Sequence, residues 1–332
     1  MIKFVAKRLV SMVVILLVLS AIVFLLQKLS HVDPAHAYLG ANASQTQVKH
    51  ENHILGYDRP LIDQYFHYVS GVFHGNLETS LRTRHAVSTD IITYLPATVE
   101  LAVTGLVLAV CFGAIFGIVS AARFRGAGAF RVLLMAFASA PVFLLALLGI
   151  LFLSGNLHWL PGTGDTGYTN APSGPTGMIV IDGLVQGQPA VAWDGLRHLI
   201  LPAFVVALGP AVSIGRVLRG SLEASMGSDF ARTARAKGLK ERTVVLRHAL
   251  RNSLSAALSM TGLQVGLMFA GVVVVESIFA WPGIGLYVDQ SIPQADFPAI
   301  AGVTLVLGVG YVIINAVVDI LQAVVDPRVT LE

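Results

Sequence analysis

The residues best suited to chemistry in this chain are polar groups set within apolar runs: Glu100, Glu276, and Asn315 with Asp319, the last two spaced i, i+4 and so on one helix face. Inside a bilayer such groups are costly and mark a substrate or ion pathway. The competing reading puts Glu100 and Glu276 at outer helix ends, in reach of external water, and pairs Asn315 and Asp319 with neighbouring helices or cytoplasmic Arg. Because the desolvation cost falls away from the bilayer centre, the second reading is preferred. Seven of the ten histidines, His31, His36, His50, His53, His67, His74 and His85, fall in one polar stretch. Their scattered spacing points to solvated interfacial side chains rather than a metal site. His50-Glu51-Asn52-His53 is only a superficial relative of His-Glu-x-x-His, and Gly-x-Ser-x-Gly is absent. No Gly-Lys pair occurs, hence no phosphate-cradling P-loop. The chain is therefore expected to hold no metal or cofactor and to be no enzyme; any use of ATP must take place on a partner. Cys111, the single cysteine, lies in an apolar run and reads as a small hydrophobe.

The elements that carry these residues follow from composition. Of 332 residues 55% are hydrophobic and 12% charged, against about 25% charged in a soluble domain. With a mean hydropathy of +0.73, this excludes both a soluble globular enzyme and a disordered chain. A net charge of +3 is too slight to suggest nucleic acid. A window of about 19 residues, enough to cross roughly 30 Å of hydrocarbon, selects six spans: 9–26, 101–122, 132–153, 199–218, 254–280 and 300–325. Sixteen of the 22 Lys and Arg fall on one side, in the N-terminal segment, the second-to-third connection, the stretch from Arg216 to Arg251, and at Arg328. By the positive-inside rule both termini are cytoplasmic. The expectation is an all-α polytopic protein of the cell (cytoplasmic or inner) membrane, with residues 1–332 forming one transmembrane domain. The first span reads as a retained anchor rather than a cleaved signal, because its apolar run is longer than a signal core and Ala37 lies well beyond its end. Three external loops are expected at 30–96, 155–197 and 281–298. The first should carry a short helix near 64–73 lying on the membrane surface. The second, rich in Gly and Pro, should be mostly loop. The third carries a turn at Trp281-Pro282-Gly283-Ile284-Gly285 beside an aromatic interface anchor.

The most informative segment is the cytoplasmic loop 220–252. Ser228 is placed to N-cap a helix, Asp229 favours its positive end, and Gly238 closes it in a left-handed C′ conformation. Phe230, Thr233, Ala234 and Lys237 recur at i, i+3, i+4 and i+7 as one face. That face is too small and too basic to enter lipid deeply, and it suits a groove on another protein. Arg247 and Arg251 follow at i, i+4, where their stems reach the headgroups. On the fifth span Gly262 and Gly266 form Gly-x-x-x-Gly, which suits either a fixed bundle or a dimer contact.

Arg232-Thr233-Ala234-Arg235-Ala236-Lys237-Gly238-Leu239, followed by Arg247-His248-Ala249-Leu250-Arg251-Asn252, resembles the permease signature of binding-protein-dependent ABC importers, in the form typical of dipeptide and oligopeptide permeases. Arg232-Thr233-Ala234 stands where the general pattern has Glu-Ala-Ala, and Gly238 keeps its place. Gly56-Tyr57-Asp58-Arg59-Pro60-Leu61, Gly75-Asn76-Leu77-Glu78-Thr79-Ser80, Leu95-Pro96-Ala97-Thr98-Val99-Glu100-Leu101, Val275 to Gly285, Asp296-Phe297-Pro298 and Asp326-Pro327-Arg328 look like the same family. The stretch 163–192 matches no pattern. The resemblance implies a type I importer fold and a permease that lies in membrane lipid beside a second, homologous permease. It also implies two cytoplasmic ATPases and an external substrate-binding protein. It makes Asp229, Phe230, Arg232, Thr233, Ala234, Arg235, Ala236, Lys237, Gly238 and Leu239 the ATPase-coupling residues. Two other classes stay open: an ion-coupled secondary transporter, which would carry coupling groups near the midplane on broken helices, and an intramembrane enzyme, which would need a nucleophile with a base, or metal ligands.

Overall fold

A computed structural model of the chain describes residues 2–29, 39, 43–54, 58–121, 128–129, 132, 135–136, 139–169 and 174–325. The described residues are helical and contain no β-strand beyond one isolated bridge between Thr79 and Ala86. In chain order the helices are α1 (Ile2–Leu29), α2 (Gln45–Ile54), α3 (Leu61–Phe73), α4 (Val87–Ala121) and α5 (Val142–Gly149), the last continuing as a π-helical turn over Ile150–Asn156. Then follow α6 (Ile179–Val185), α7 (Pro189–Met226), α8 (Asp229–Ala236), α9 (Glu241–Phe279, with a π-helical segment at Val244–Ala249), α10 (Ile284–Ser291) and α11 (Phe297–Val325). Five of them are long and apolar enough to cross a membrane: α1, α4, α7, α9 and α11. The expected third span, 132–153, coincides in its second half with the shorter apolar helix Val142–Asn156, and residues 133–134 and 137–138 of its first half lie outside the described residues.

The helices run further than hydropathy suggested. The second begins at Val87, before Pro96, and Pro96 is accommodated inside it. The fourth begins at Pro189, with Pro202 and Pro210 inside it. Hydropathy marks the depth of lipid, not the extent of hydrogen bonding, so polar ends such as Asp90 and Asp194 extend helices beyond the apolar window. The loop expected at 281–298 is largely helical, containing α10 and a 3₁₀ turn at Ile292–Gln294, whereas most described residues of 155–197 are non-helical as expected, with α6 and the start of α7 set among them.

The chain divides into two compact units. In the first, residues 96–285 and 313–332, the core is built on α7, the most buried of the long helices. Leu101, Leu201, Val272, Val275, Phe279 and Trp281 gather in one cluster, and Ala207, Ala211, Ile214, Leu218 and Leu222 in another. Small residues allow this: a side chain at Gly215 would collide with the Phe116 ring and the Gly113 carbonyl, so α4 and α7 meet backbone to backbone. A Cβ on Gly262 would come within 2.9 Å of Val318 Cγ1, which assigns that half of the Gly-x-x-x-Gly pair to a contact between α9 and α11 of one chain.

In the second unit, residues 2–95 and 286–312, α3 docks on α1. The Tyr65 hydroxyl donates to the Leu17 carbonyl at 3.1 Å, and Phe24 stacks on Tyr68 with ring centroids 6.3 Å apart. Leu61, Ile62, Phe66 and Phe73 of α3 stay exposed. Asp296, fully buried, accepts from the Ser80 hydroxyl and, at 3.1 Å, from the Arg82 amide. Arg82 in turn reaches Gln290 Oε1 at 3.1 Å and lies over the Tyr287 ring.

Candidate functional site

Helix α8 is eight residues long, follows Ser228 in extended conformation and has Lys237 at its C-cap. Ser228 occupies the N-cap position without capping: its hydroxyl turns back to the Ser225 carbonyl. Asp229 and Arg232 instead form an exposed i, i+3 pair at 3.4 Å. At the other end Gly238 has φ +78°, its amide donates to the Arg235 carbonyl (2.9 Å), and the Leu239 amide reaches the Ala234 carbonyl (3.3 Å). These two bonds make a Schellman motif, which only a residue at ease in the left-handed region closes without strain.

The helix has an inner and an outer side, and they differ from the face read from spacing. Ala231 and Ala234 are buried against Val244 of α9. Ala234 therefore belongs to the inner side, leaving Phe230, Thr233, Ala236 and Lys237 exposed with Arg232 and Arg235. Both alanines fit because a larger side chain would lift the helix off Val244. Phe230 is 42% exposed. Arg235 is the strut: its guanidinium makes a two-pronged pair with Glu241, at 2.9 and 2.7 Å, and its third nitrogen donates to the Met226 carbonyl at 2.9 Å. The pair raises the Arg235 pKa above its ordinary value, the hydrogen bond to Glu241 being the main cause. One side chain thus ties α8 to the end of α7 and the start of α9. Asn252 adds a second tie, donating to Ser225 Oγ at 3.2 Å, and Ala249 is fully buried beside it. Arg247 and Arg251 are exposed.

Glu100 and Glu276 do not reach water. Glu100 is 6% exposed and its Oε1 accepts the Val180 amide (3.1 Å) at the start of α6. Glu276 is fully buried; its Oε2 accepts the Gly285 amide at 2.6 Å, at the first turn of α10. Each carboxylate serves the positive end of another helix, which is why burial is tolerated. Around Glu276 the chain closes tightly. A side chain at Gly283 would collide with the carboxyl group, the Ile284 amide donates to Thr98 Oγ1 (2.8 Å), and α9 stops at Ala280 with φ +48°. Trp281, expected at the lipid interface, is fully buried and donates its indole N–H to the Ala97 carbonyl at 2.9 Å. Asn315 and Asp319 are half-buried on α11, with Asn315 Oδ1 beside Gly262.

Sequence reasoning missed two further carboxylates, one inside the stretch that matched no pattern and one just beyond it. Asp182, buried, accepts the Thr176 amide and hydroxyl and the Gly177 amide at 2.8–3.0 Å. Asp194 accepts the Thr166 hydroxyl (3.0 Å) and the Gly167 amide (2.6 Å). The Thr-Gly repeats at 166–167 and 176–177, each an amide and a hydroxyl ready for one carboxylate, were the available signal. Burial pushes the neighbouring Asp165 carboxyl above its ordinary value, and the His198 charge opposes that shift. Of the histidines in the polar stretch, His53 pairs with Asp58 at 2.6 Å and His85 with Asp90 at 3.4 Å, while His31 and His36 lie outside the described residues. Among the described residues no group of three His, Cys, Asp or Glu could hold a metal ion.

Comparison with known proteins adds the final observations. Residues 109–331 match the family described as binding-protein-dependent transport system inner membrane component, and residues 1–102 match the N-terminal family of such membrane components. The probable D,D-dipeptide transport system permease protein DdpB of Escherichia coli (strain K12) is 37% identical over 326 residues, 97% of this chain and 96% of its own length. The di/tripeptide transport system permease protein DppB of Pseudomonas aeruginosa (strain UCBPP-PA14) is 37% identical over 336 residues, 99% of each chain. The dipeptide transport system permease protein DppB of Alkalihalophilus pseudofirmus is 34% identical over 331 residues, again 99% of each.

Proposed function

We propose, from the premise that this chain belongs to the family of binding-protein-dependent transport system inner membrane components, that it forms one half of the pathway by which short peptides enter the cell. It is a multi-pass inner-membrane permease that catalyses no reaction of its own, ATP hydrolysis being the work of separate subunits. In our reading residues 1–332 make one transmembrane domain of six spans, α5 with the residues before it supplying the third, and both termini are cytoplasmic. A second, homologous permease completes the pathway, two ATPases bind from the cytoplasm, and an external binding protein delivers the peptide. The peptide cargo is supported by the names of the relatives, three of which are permeases for dipeptides or di/tripeptides.

The observation that carries the mechanism is the two-sidedness of α8. Its inner side is seated on Val244 and strutted by Arg235, so a push on the helix is transmitted to α7 and α9. Its outer side leaves Phe230 exposed beside three basic residues, Arg232, Lys237 and Lys240. A large aromatic exposed on a cytoplasmic surface suits a partner's groove. We read α8, with Gly238 and Leu239 closing it, as the coupling helix. When ATP draws the two ATPases together, α8 is carried with them and the spans swing as rigid bodies, exposing the pathway alternately to each side. The test is a cysteine crosslink from position 230 to the ATPase in the assembled complex. It should form and should change in efficiency between nucleotide-free and ATP-trapped states, and its absence in an assembled, active complex would refute the assignment.

A further inference from the structure

The buried carboxylates of the first unit are engaged by backbone amides, which leaves the question of what the permease offers its cargo. The answer lies in a cavity of about 440 Å³ between α7, α9 and the start of α5, a size typical of small-molecule sites. Its α7 wall is one stripe, Val206, Gly209, Ser213 and Arg216, recurring every three or four residues, and Gln264 with Met268 continues it on α9. Val206 sits halfway along α7, Pro189–Met226, and Gln264 halfway along the part of α9 that follows its π-helical segment, Leu250–Phe279. The cavity is therefore far from either helix end, at the level where transporters hold cargo.

Gln264 is 7% exposed, lines this cavity and has no hydrogen-bond partner among the described residues. A buried primary amide of this kind must find its partner in whatever occupies the cavity. Neither Ser213 nor Arg216 has a side-chain partner among the described residues either, and no Asp or Glu lines the cavity. Arg216 precedes Met226, the last residue of α7, by ten positions, about 15 Å along the axis. Its side chain is exposed, lines the cavity and forms no ion pair among the described residues. Peptides of varied sequence share few groups that a fixed site can hold, and the α-carboxylate is one of them. A guanidinium matches it with two parallel bonds, while a hydroxyl and a primary amide serve the remaining lone pairs. Val142, Val206 and Met268 supply an apolar and adaptable wall for side chains that differ.

We propose that Arg216, Ser213 and Gln264 form a subsite that holds the α-carboxylate of the peptide in transit, an inference that rests on the peptide-importer reading. It is tested in proteoliposomes holding the complete complex, with loaded binding protein outside the vesicle. The readouts are labelled Ala-Phe delivered per phosphate released and the ATPase rate stimulated by the binding protein. Stimulated ATPase reports an assembled, folded complex and should stay within about twofold of wild type in every variant, since no coupling residue is touched. Arg216→Gln and Gln264→Leu should deliver about tenfold fewer peptides per phosphate, the effect of losing a hydrogen bond to a charged group. Arg216→Lys, which keeps the charge but not the two-pronged geometry, should recover only part of the yield. Wild-type yield in Arg216→Gln, or equal loss in Arg216→Lys and Arg216→Gln, would overturn the subsite. A wild-type complex that hydrolyses ATP in response to the binding protein yet moves no Ala-Phe would overturn the peptide reading itself, a distinguishable failure.

Discussion

Truncating Phe230 is the sharpest perturbation of the coupling helix, because it removes exposed surface and leaves the inner seat of α8 intact. Phe230 is 42% exposed, and of the roughly 200 Å² that a Phe offers some ~80 Å² therefore remains for a partner. At about 25 cal/mol per Å² this amounts to ~2 kcal/mol of docking energy, or roughly 30-fold in affinity. Phe230→Ala should weaken ATPase association by about that factor, and Phe230→Asp by more, since it buries an unpaired charge in the groove. Both variants should insert normally and reach wild-type abundance, because Ala231, Ala234 and Val244 hold the helix in place without help from position 230. The assay is pull-down of the ATPases with the purified permease, alongside peptide uptake at matched membrane abundance. Normal association and uptake in Phe230→Asp would refute the assignment and leave α8 a plain connector.

Substitutions at Gly238 should rank by their tolerance of a left-handed backbone. Nothing lies within 4 Å of a Cβ built there, so the cost is conformational, about 1–2 kcal/mol for Ala and more for Val; uptake should fall in the order Asn, Ala, Val, and equal defects would refute the motif's role. Arg235→Ala should reduce uptake without loss of ATPase binding, because it unties α8 from Met226 and Glu241 while leaving Phe230 exposed; uncoupled ATP hydrolysis in vesicles is the readout. Glu276→Ala leaves the Gly285 amide and the first turn of α10 without their buried acceptor, a loss of about 1–3 kcal/mol. Glu276→Gln should lose less, and the comparison is read as the detergent melting temperatures of the two variants.

Coupling-loop organisation was legible because its signals are local. Asp229 and Gly238 mark the two ends of α8 within one residue, and hydropathy located five long apolar helices with no knowledge of packing. What stayed hidden depended on partners distant in sequence. Ala234 could not be told from Thr233 as inner or outer until Val244 was placed beside it. Trp281 has the composition of an interfacial anchor, and only the Ala97 carbonyl turns it inward. Glu100 and Glu276 read as solvated because the amides they serve, Val180 and Gly285, belong to helices that hydropathy could not see: α6 and α10 are short and mixed in composition. Gln264 drew no attention as a lone amide in an apolar run, and the cavity in front of it exists only once α7 and α9 are packed.

The central claim is that this permease moves peptide at the expense of ATP hydrolysed by its partners. The direct measurement is uptake of a labelled dipeptide into proteoliposomes containing both permeases and both ATPases, with ATP, the binding protein and an ion gradient each added or withheld. Uptake that requires ATP and binding protein together, and is indifferent to the gradient, is the predicted result. Uptake driven by a proton or sodium gradient without ATP would contradict it.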